Sequence, residues 1–492
     1  MVARIRLLNC QKRLSQSFRR SARRYLGDLP AHLKNYSLEY SKELRSYSKI
    51  TFKNNILDEI LGAQIILCGD YHSSPQAQRT VLRILRQILP RVKKERKNLY
   101  LGLEFLRAQD TIRAQQVLRS EISEDRFLET IGFHRWGFLW QNYAPLVKLA
   151  QDWQIPLFGL SPERMGPLQA RDAFAARVIC NWTQQDPNSI LFCLMGDLHL
   201  AQNHLPEEIR TELKNRQQSK KILTIHQNYD DLYWKLVQKQ KENKGEVIQL
   251  KKDVFCILNT APWVKLQSHL NSVEQTPNAE EMLDSSDTIL QLIEGIAYFL
   301  ELKKTQIGSG ADLDVRASGK SESYFSYADR IFYLGAPNLN HLAKLSSQYV
   351  HSKLSGFKGS FEEPARDFYP MVWTEVLGFL GSKIINPNRK CQGIIDFKTS
   401  SEPAMKLAWR HINKERVPAE SEVPLYPEVA KLLGKLLGQA LFELILKNKL
   451  SLSALRDLYG TPFGAESESL YFDWCTKVDQ FSLRHFSSKQ KW

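Results

Sequence analysis

The sequence predicts an α/β fold, a mostly parallel sheet flanked by helices, followed by a largely α-helical C-terminal domain. Three observations predict it. Between about residues 51 and 260, short and wholly apolar runs alternate with longer stretches of helical period, the pattern of parallel strands covered on both faces. Past residue 284 the strand-like runs give way to long helical stretches. Finally, two apolar runs, "IILC" at 65–68 and "ILFCLM" at 190–195, each stop at Gly-Asp-x-His, as strands ending in a loop at one sheet edge would.

The first 50 residues carry twelve Lys/Arg against Asp28, Glu39 and Glu43, more than half of the chain's net charge of +15. Leu7, Leu14, Phe18 and Tyr25 fall at helical spacing, so this basic N-terminal arm (1–50) reads as an amphipathic helix. It either packs along the next domain with its charges solvated or offers a peripheral contact to an anionic membrane. Nucleic acid is disfavoured, because no recognition motif accompanies the charge.

From residue 51 to 263 the elements follow in order. "QIILCGD" leads to "QAQRTVLRILRQILPRV", where Val81, Ile84, Leu85 and Ile88 share one helical face. "NLYLGLEF" leads to "DTIRAQQVLR". "IPLFGL" leads to a helix that Ser161 caps, with Pro162 at its first position. "ILFCLMGD" leads to "EEIRTELKNRQ" and then "KILTIHQ". Residues 264–283 lose the strand pattern and read as a linker. The helical domain, 284–492, holds four long helical stretches, one starting at Pro337. Between its first two helices lies the polar segment 305–323, expected as a mobile loop. Gly434 and Gly438, four apart in "KLLGKLLGQAL", suit a close helix crossing.

Seven cysteines stand scattered, with no CxxC pair, which excludes a disulfide framework or a zinc ribbon. Cys68 and Cys193 read as small buried hydrophobes. No run of about 18 apolar residues marks a membrane span, and no apolar segment of signal-peptide type precedes the "LLNC" near the start. A cytoplasmic location is the expectation. P-loop, dinucleotide and nucleophile-elbow motifs are missing.

The chemistry gathers at three strand ends. The Gly-Asp-x-His motifs supply His72 and His199, and "NLYLGLEF" supplies Glu104. A carboxylate closing an apolar strand needs an ion, water or a metal beside it. Two imidazoles and one carboxylate can ligate a divalent metal such as Zn, Mn or Fe, which would activate water. Asp70 and Asp197 are placed to orient the histidines. The alternative is that each histidine serves a loop carbonyl and Glu104 an arginine. Without a metal, a histidine with Glu104 as partner still offers general-base chemistry.

The segments "CGDYHSSPQ", "LGLEFLRAQD", "EISEDRFLE", "WGFLWQNYAPLVKLAQDWQIPLFGLSPER", "ARDAFAARV" and "LMGDLHL" follow one another in an order and spacing that resembles the ChaN-like domain, over about residues 55–235. The wider superfamily includes the Tiki proteases and the EreA-type erythromycin esterases. The resemblance implies that His72, Glu104 and His199 line a pocket and that Arg171-Asp172 opens a pocket helix. It implies a haem-binding protein of iron uptake in the ChaN branch, or a hydrolase in the Tiki and EreA branches, metal-dependent in the former. The chain departs from ChaN in having no lipoprotein signal at its start. Tyr71 and Tyr143, in the matched segments, and His134, within the stretch they span, are haem-ligand candidates. The aromatic stretch 132–143 either covers a porphyrin face or forms helix core. A third reading makes the helical half an interaction module. The sequence leaves the substrate and the oligomeric state open.

Overall fold

The computed structural model describes residues 2–27, 30–242, 246–274, 285–308, 313–318, 322–335, 338–359, 361, 363, 366–389, 391, 394–413 and 420–480. It divides into two compact units, residues 22–280 and residues 1–21 with 281–492.

The first unit is built on an eight-stranded sheet. Its strands are β1 (Lys49–Thr51), β2 (Ile65–Asp70), β3 (Asn98–Arg107), β4 (Leu157–Ser161), β5 (Ser189–Gly196), β6 (Ile222–Gln227), β7 (Val247–Lys251) and β8 (Val254–Ile257), in the order β1-β7-β8-β6-β2-β5-β3-β4. From β8 to β4 every pairing is parallel, and β7 and β1 add an antiparallel edge. Alternate residues of each strand feed two separate cores. Ile66, Cys68, Leu101, Leu103, Phe192 and Leu194 face one layer of helices, while Ile65, Leu67, Leu191, Cys193 and Met195 face the other. Both faces are therefore covered, which is why these strands are apolar at every position.

Helix α1 (Val2–Leu26) and helix α2 (Ala31–Leu44) precede the sheet. The crossover helices are α3 (Lys53–Leu61), α4 (Pro75–Lys94), α5 (Thr111–Leu118), α6 (Glu124–Ile131), α7 (Ala144–Trp153), α8 (Leu168–Gln185), α9 (Leu205–Asn215) and α10 (Asp230–Gln238). Val81, Ile84, Leu85 and Ile88 of α4 are all buried against the sheet. Ser161 does not cap a helix. It ends β4, its hydroxyl donates to the Glu104 carbonyl at 2.6 Å, and α8 starts only after Pro167. A helix, α11 (Pro262–Glu274), opens the stretch read as a linker; residues 275–284 lie outside the described part.

In the second unit residues 2–21 of α1 pack on helix α12 (Ser285–Leu300). Leu7, Cys10, Leu14 and Phe18 are buried, and Cys10 Sγ donates to the Gly295 carbonyl at 3.3 Å. The apolar stripe of the basic arm is thus consumed by packing. The Tyr25 side chain lies outside the described part. After a single turn, α13 (Lys304–Ile307), the polar segment expected as a loop enters a small sheet of β9 (Asp314–Ala317), β10 (Tyr324–Ser326) and β11 (Ile331–Leu334). Phe325, Ile331 and Phe332 are its buried anchors. The remaining helices are α14 (Leu339–Ser355), α15 (Phe368–Ile385), α16 (Ile394–Thr399), α17 (Pro403–Ile412), α18 (Tyr426–Leu446), α19 (Leu452–Tyr459) and α20 (Ser467–Gln480). Pro337 lies outside the described residues, and Asn338 caps α14 through a bond from the His341 amide.

Gly434 and Gly438 of α18 meet α15. A Cβ at Gly438 would stand 2.7 Å from the Val376 carbonyl oxygen, and one at Gly434 would stand 2.9 Å from that of Val372. The helices cross with their backbones nearly touching. Gly438→Ala should therefore destabilise the protein by about 1–3 kcal/mol, although alanine is the better helix former by about 1 kcal/mol; urea unfolding measures the loss.

Candidate functional site

The pairing of β2 with β5 sets Asp70 opposite Gly196, so the two Gly-Asp-x-His stretches end side by side. β3 lies on the far side of β5, with Leu103 opposite Leu194, and Glu104 follows at that edge. Each motif glycine makes room for the other strand's side chains. A Cβ at Gly69 would stand 3.5 Å from the Ile225 carbonyl and would collide with the Asp197 carboxylate; one at Gly196 would stand 3.2 Å from His72 Nε2 and 3.3 Å from Glu104 Oε2.

Glu104 is the hub. Its carboxylate is 4% exposed, accepts the Gly196 amide at 2.5 Å and pairs with the Arg171 guanidinium. His72 Nε2 lies 3.6 Å from one of its oxygens and His199 Nε2 3.5 Å from the other. On the far side of each ring stands another carboxylate. Asp70 meets His72 Nδ1 at 2.8 Å and Asp172 meets His199 Nδ1 at 2.5 Å. Asp70 also accepts Gln78 Nε2 at 2.5 Å and the Tyr143 hydroxyl at 2.9 Å. Tyr36 donates to Asp172 at 3.2 Å. The result is one continuous row in which carboxylates and imidazoles alternate, Asp70–His72–Glu104–His199–Asp172.

The row shifts its members' proton affinities. Burial alone would raise the Glu104 carboxyl, but the hydrogen bond from His199 and the charges of His72, His199 and Arg171 hold it well below its ordinary range. Burial opposes the charged imidazole of His199, yet its bonds to Asp172 and Glu104 push it up to about 9. Burial likewise opposes the charge on His72, and Asp70 prevails and raises it.

Of the residues singled out in the sequence, His72, Glu104, His199, Asp70, Arg171, Asp172 and Tyr143 meet in this network. Asp197 does not orient His199. Among the described residues its carboxylate accepts no hydrogen bond, and it lies 3.7 Å from Lys265 Nζ; Asp172, on α8, takes the orienting place. Tyr71 lies under the same lysine, with Nζ 4.4 Å from its ring centre. Tyr143 is buried, its hydroxyl donating to Asp70. His134 stands apart and exposed, on a short 3-10 turn, Phe133–Trp136, between Gly132 and Gly137, both at positive φ. The aromatic stretch is thus turns and not a helix. Its Trp136 and Phe138 rings lie 4.7 and 5.1 Å from the His72 ring.

Glu104's two oxygens are already taken by Arg171 and the Gly196 amide, so the trio stands as an ion-pair network. Among the described residues no group of three or more His, Cys, Asp or Glu is arranged to hold a metal ion. Sequence reasoning missed Tyr36, Gln78 and Lys265. Tyr36 sat in a segment read only for its positive charge; Glu39 and Glu43, set among those basic residues on the same helix, were the available signal. Glu39 pairs with His204 Nε2 at 2.6 Å, and Glu43 accepts the Gln202 amide at 2.7 Å.

The fold is an α/β domain whose parallel strands carry a polar cluster at their carboxyl ends, the edge at which such sheets bind ligands. Residues 56–166 match the family described as haem-binding uptake, Tiki superfamily, ChaN. The match takes in His72 and Glu104 and stops before Arg171, Asp172 and His199. Among solved structures, ChaN of Campylobacter jejuni, described with cofacial heme binding, is similar at 15% identity over 37% of this chain and 90% of that one, with a TM-score of 0.29. No curated protein matches.

A raised imidazole stabilises the fold fully below its unfolded value of 6.5, and that contribution is lost as pH rises through about 9. Glu104, lowered from 4.5, adds stability above that pH which is lost on acidification. Urea unfolding across pH should show stability declining from neutral to alkaline pH, with His199→Gln flattening that limb and shrinking the acid limb as well, because Glu104 loses the hydrogen bond that does most to lower it.

Proposed function

We propose that residues 51–263 form a haem-binding domain of the ChaN type. The supporting observation is the matched segment itself: the partly buried rings of Trp136, Phe138 and Trp140 and the exposed Leu139, with the exposed imidazole of His134 two residues before Trp136 on the same short turn. Flat apolar rings with one free nitrogen donor suit a porphyrin and its iron. His134 is the proposed axial donor, Tyr71 the second candidate, and the rings cover the macrocycle. Haem bound there would supply an iron that changes oxidation state. His72, touching Trp136 and Phe138, couples that surface to the buried charge row.

The second reading, a metal-dependent hydrolase acting on an ester or peptide bond, draws on a separate observation. Both imidazoles have Nδ1 held by a carboxylate and Nε2 turned toward Glu104, the way metal-bound histidines are oriented. A divalent cation there would have to draw Glu104 away from Arg171.

Titration of the purified chain with hemin should give a saturable Soret band that His134→Ala removes or shifts and Tyr143→Phe leaves in place. Elemental analysis separates the readings. Stoichiometric zinc, manganese or iron, lost in both His72→Ala and His199→Ala and with no Soret band, would replace the haem assignment by the hydrolase.

A further inference from the structure

The helical unit holds a cavity that neither the charge row nor the family match touches. It has a volume of about 500 Å³ and lies where α15, α18 and α20 begin, within the range of about 300–1,000 Å³ typical of small-molecule sites. Phe357, Phe361, Phe368, Tyr426 and Phe463 line it. Loose aromatic rings would collapse onto one another if nothing held them apart. Here Phe463 is stacked at 5.6 Å on Trp373, whose indole nitrogen is anchored to the Ser467 carbonyl at 2.9 Å.

One side chain in this wall is unaccounted for. His411, near the end of α17, is 4% exposed, and neither of its ring nitrogens has a hydrogen-bond partner among the described residues. Its face is stacked on Phe368 at 4.6 Å between ring centres. Burial, helped by Arg410, pushes the imidazole down to about 4, so at neutral pH it carries one N–H donor and one bare nitrogen acceptor. A buried polar group left unpaired costs free energy, and a ligand bearing the complementary groups removes that cost. Of the charged side chains in the lining, Arg366 offsets one of the two carboxylates of Asp367 and Glu468, and the rings around His411 are uncharged, which suits a neutral ligand.

We propose that this cavity is a binding site for a neutral, planar heteroaromatic small molecule, stacked among the aromatic rings and hydrogen-bonded to His411. The proposal does not depend on the haem reading, since every residue it uses lies between 357 and 468.

The test is calorimetric titration of the full chain with benzimidazole and with its isostere indene, which has no nitrogen, at mildly alkaline pH where benzimidazole is neutral. Benzimidazole should bind saturably. His411→Phe should weaken it about tenfold, the worth of one or two neutral hydrogen bonds, and leave indene unchanged. Ala465→Phe, at the exposed rim of the cavity, should abolish binding of both without lowering the melting temperature. Should His411→Phe fail to fold, the imidazole nitrogen resonances of His411 in the unaltered chain should shift on adding benzimidazole. The absence of saturable binding, binding unaffected by Ala465→Phe, equal affinity in a folded His411→Phe, or unmoved His411 resonances would each overturn the assignment.

Discussion

A carboxylate buried at the end of β3 constrains everything around it. Glu104 has almost no access to water, and a buried charge is tolerated only when opposite charges and hydrogen bonds surround it. That requirement recruits Arg171 from α8, an amide from the end of β5 and two imidazoles from adjacent loops. The imidazoles, once protonated, need carboxylates of their own, and Asp70 and Asp172 provide them. Removing any one member leaves a neighbour charged and unpaired in the interior, so the row stands or falls as a unit. The neighbouring strands β2, β5 and β3 are the scaffold that brings it together.

Much of this was legible in the sequence because it rests on local rules. Fully apolar runs of strand length announced a doubly covered sheet, and the alternation of Ile65 and Leu67 with Ile66 and Cys68 between two cores is the consequence. The repeated Gly-Asp-x-His drew attention to β2 and β5, since the glycines are forced by the crowding of the opposite motif. The partner of His199 was not legible. Asp197 is two residues away in sequence, whereas Asp172 reaches the ring only through the docking of α8, a tertiary fact that spacing cannot encode. Ser161 misled for a related reason. Its hydroxyl donates to a carbonyl of the neighbouring strand instead of accepting an amide of the helix that follows, and the helix yielded its start to Pro167.

In the helical unit, small residues do the work that large ones do in the sheet. Glycines on α18 admit the backbone of α15, and Gly381 of α15 sits against Ser347 of α14, whose hydroxyl donates to the Leu377 carbonyl at 2.7 Å. Such contacts read from sequence as a four-residue spacing and little more. The three-stranded sheet of β9, β10 and β11 escaped notice altogether, because polar and glycine-rich composition there outweighed the few apolar residues that anchor it.

The contacts of α2 bear on where the smallest autonomous piece of the sheet unit begins. Its Tyr36 ring lies flat on His204, 3.8 Å between centres, and its polar atoms reach Asp172, His204 and the Gln202 amide. A truncated gene product opening at the first strand would strip these groups of their covers and flood the back of His199 with solvent. Expression boundaries for this half of the molecule accordingly belong ahead of residue 31, in a stretch whose basic character gives no hint of that duty.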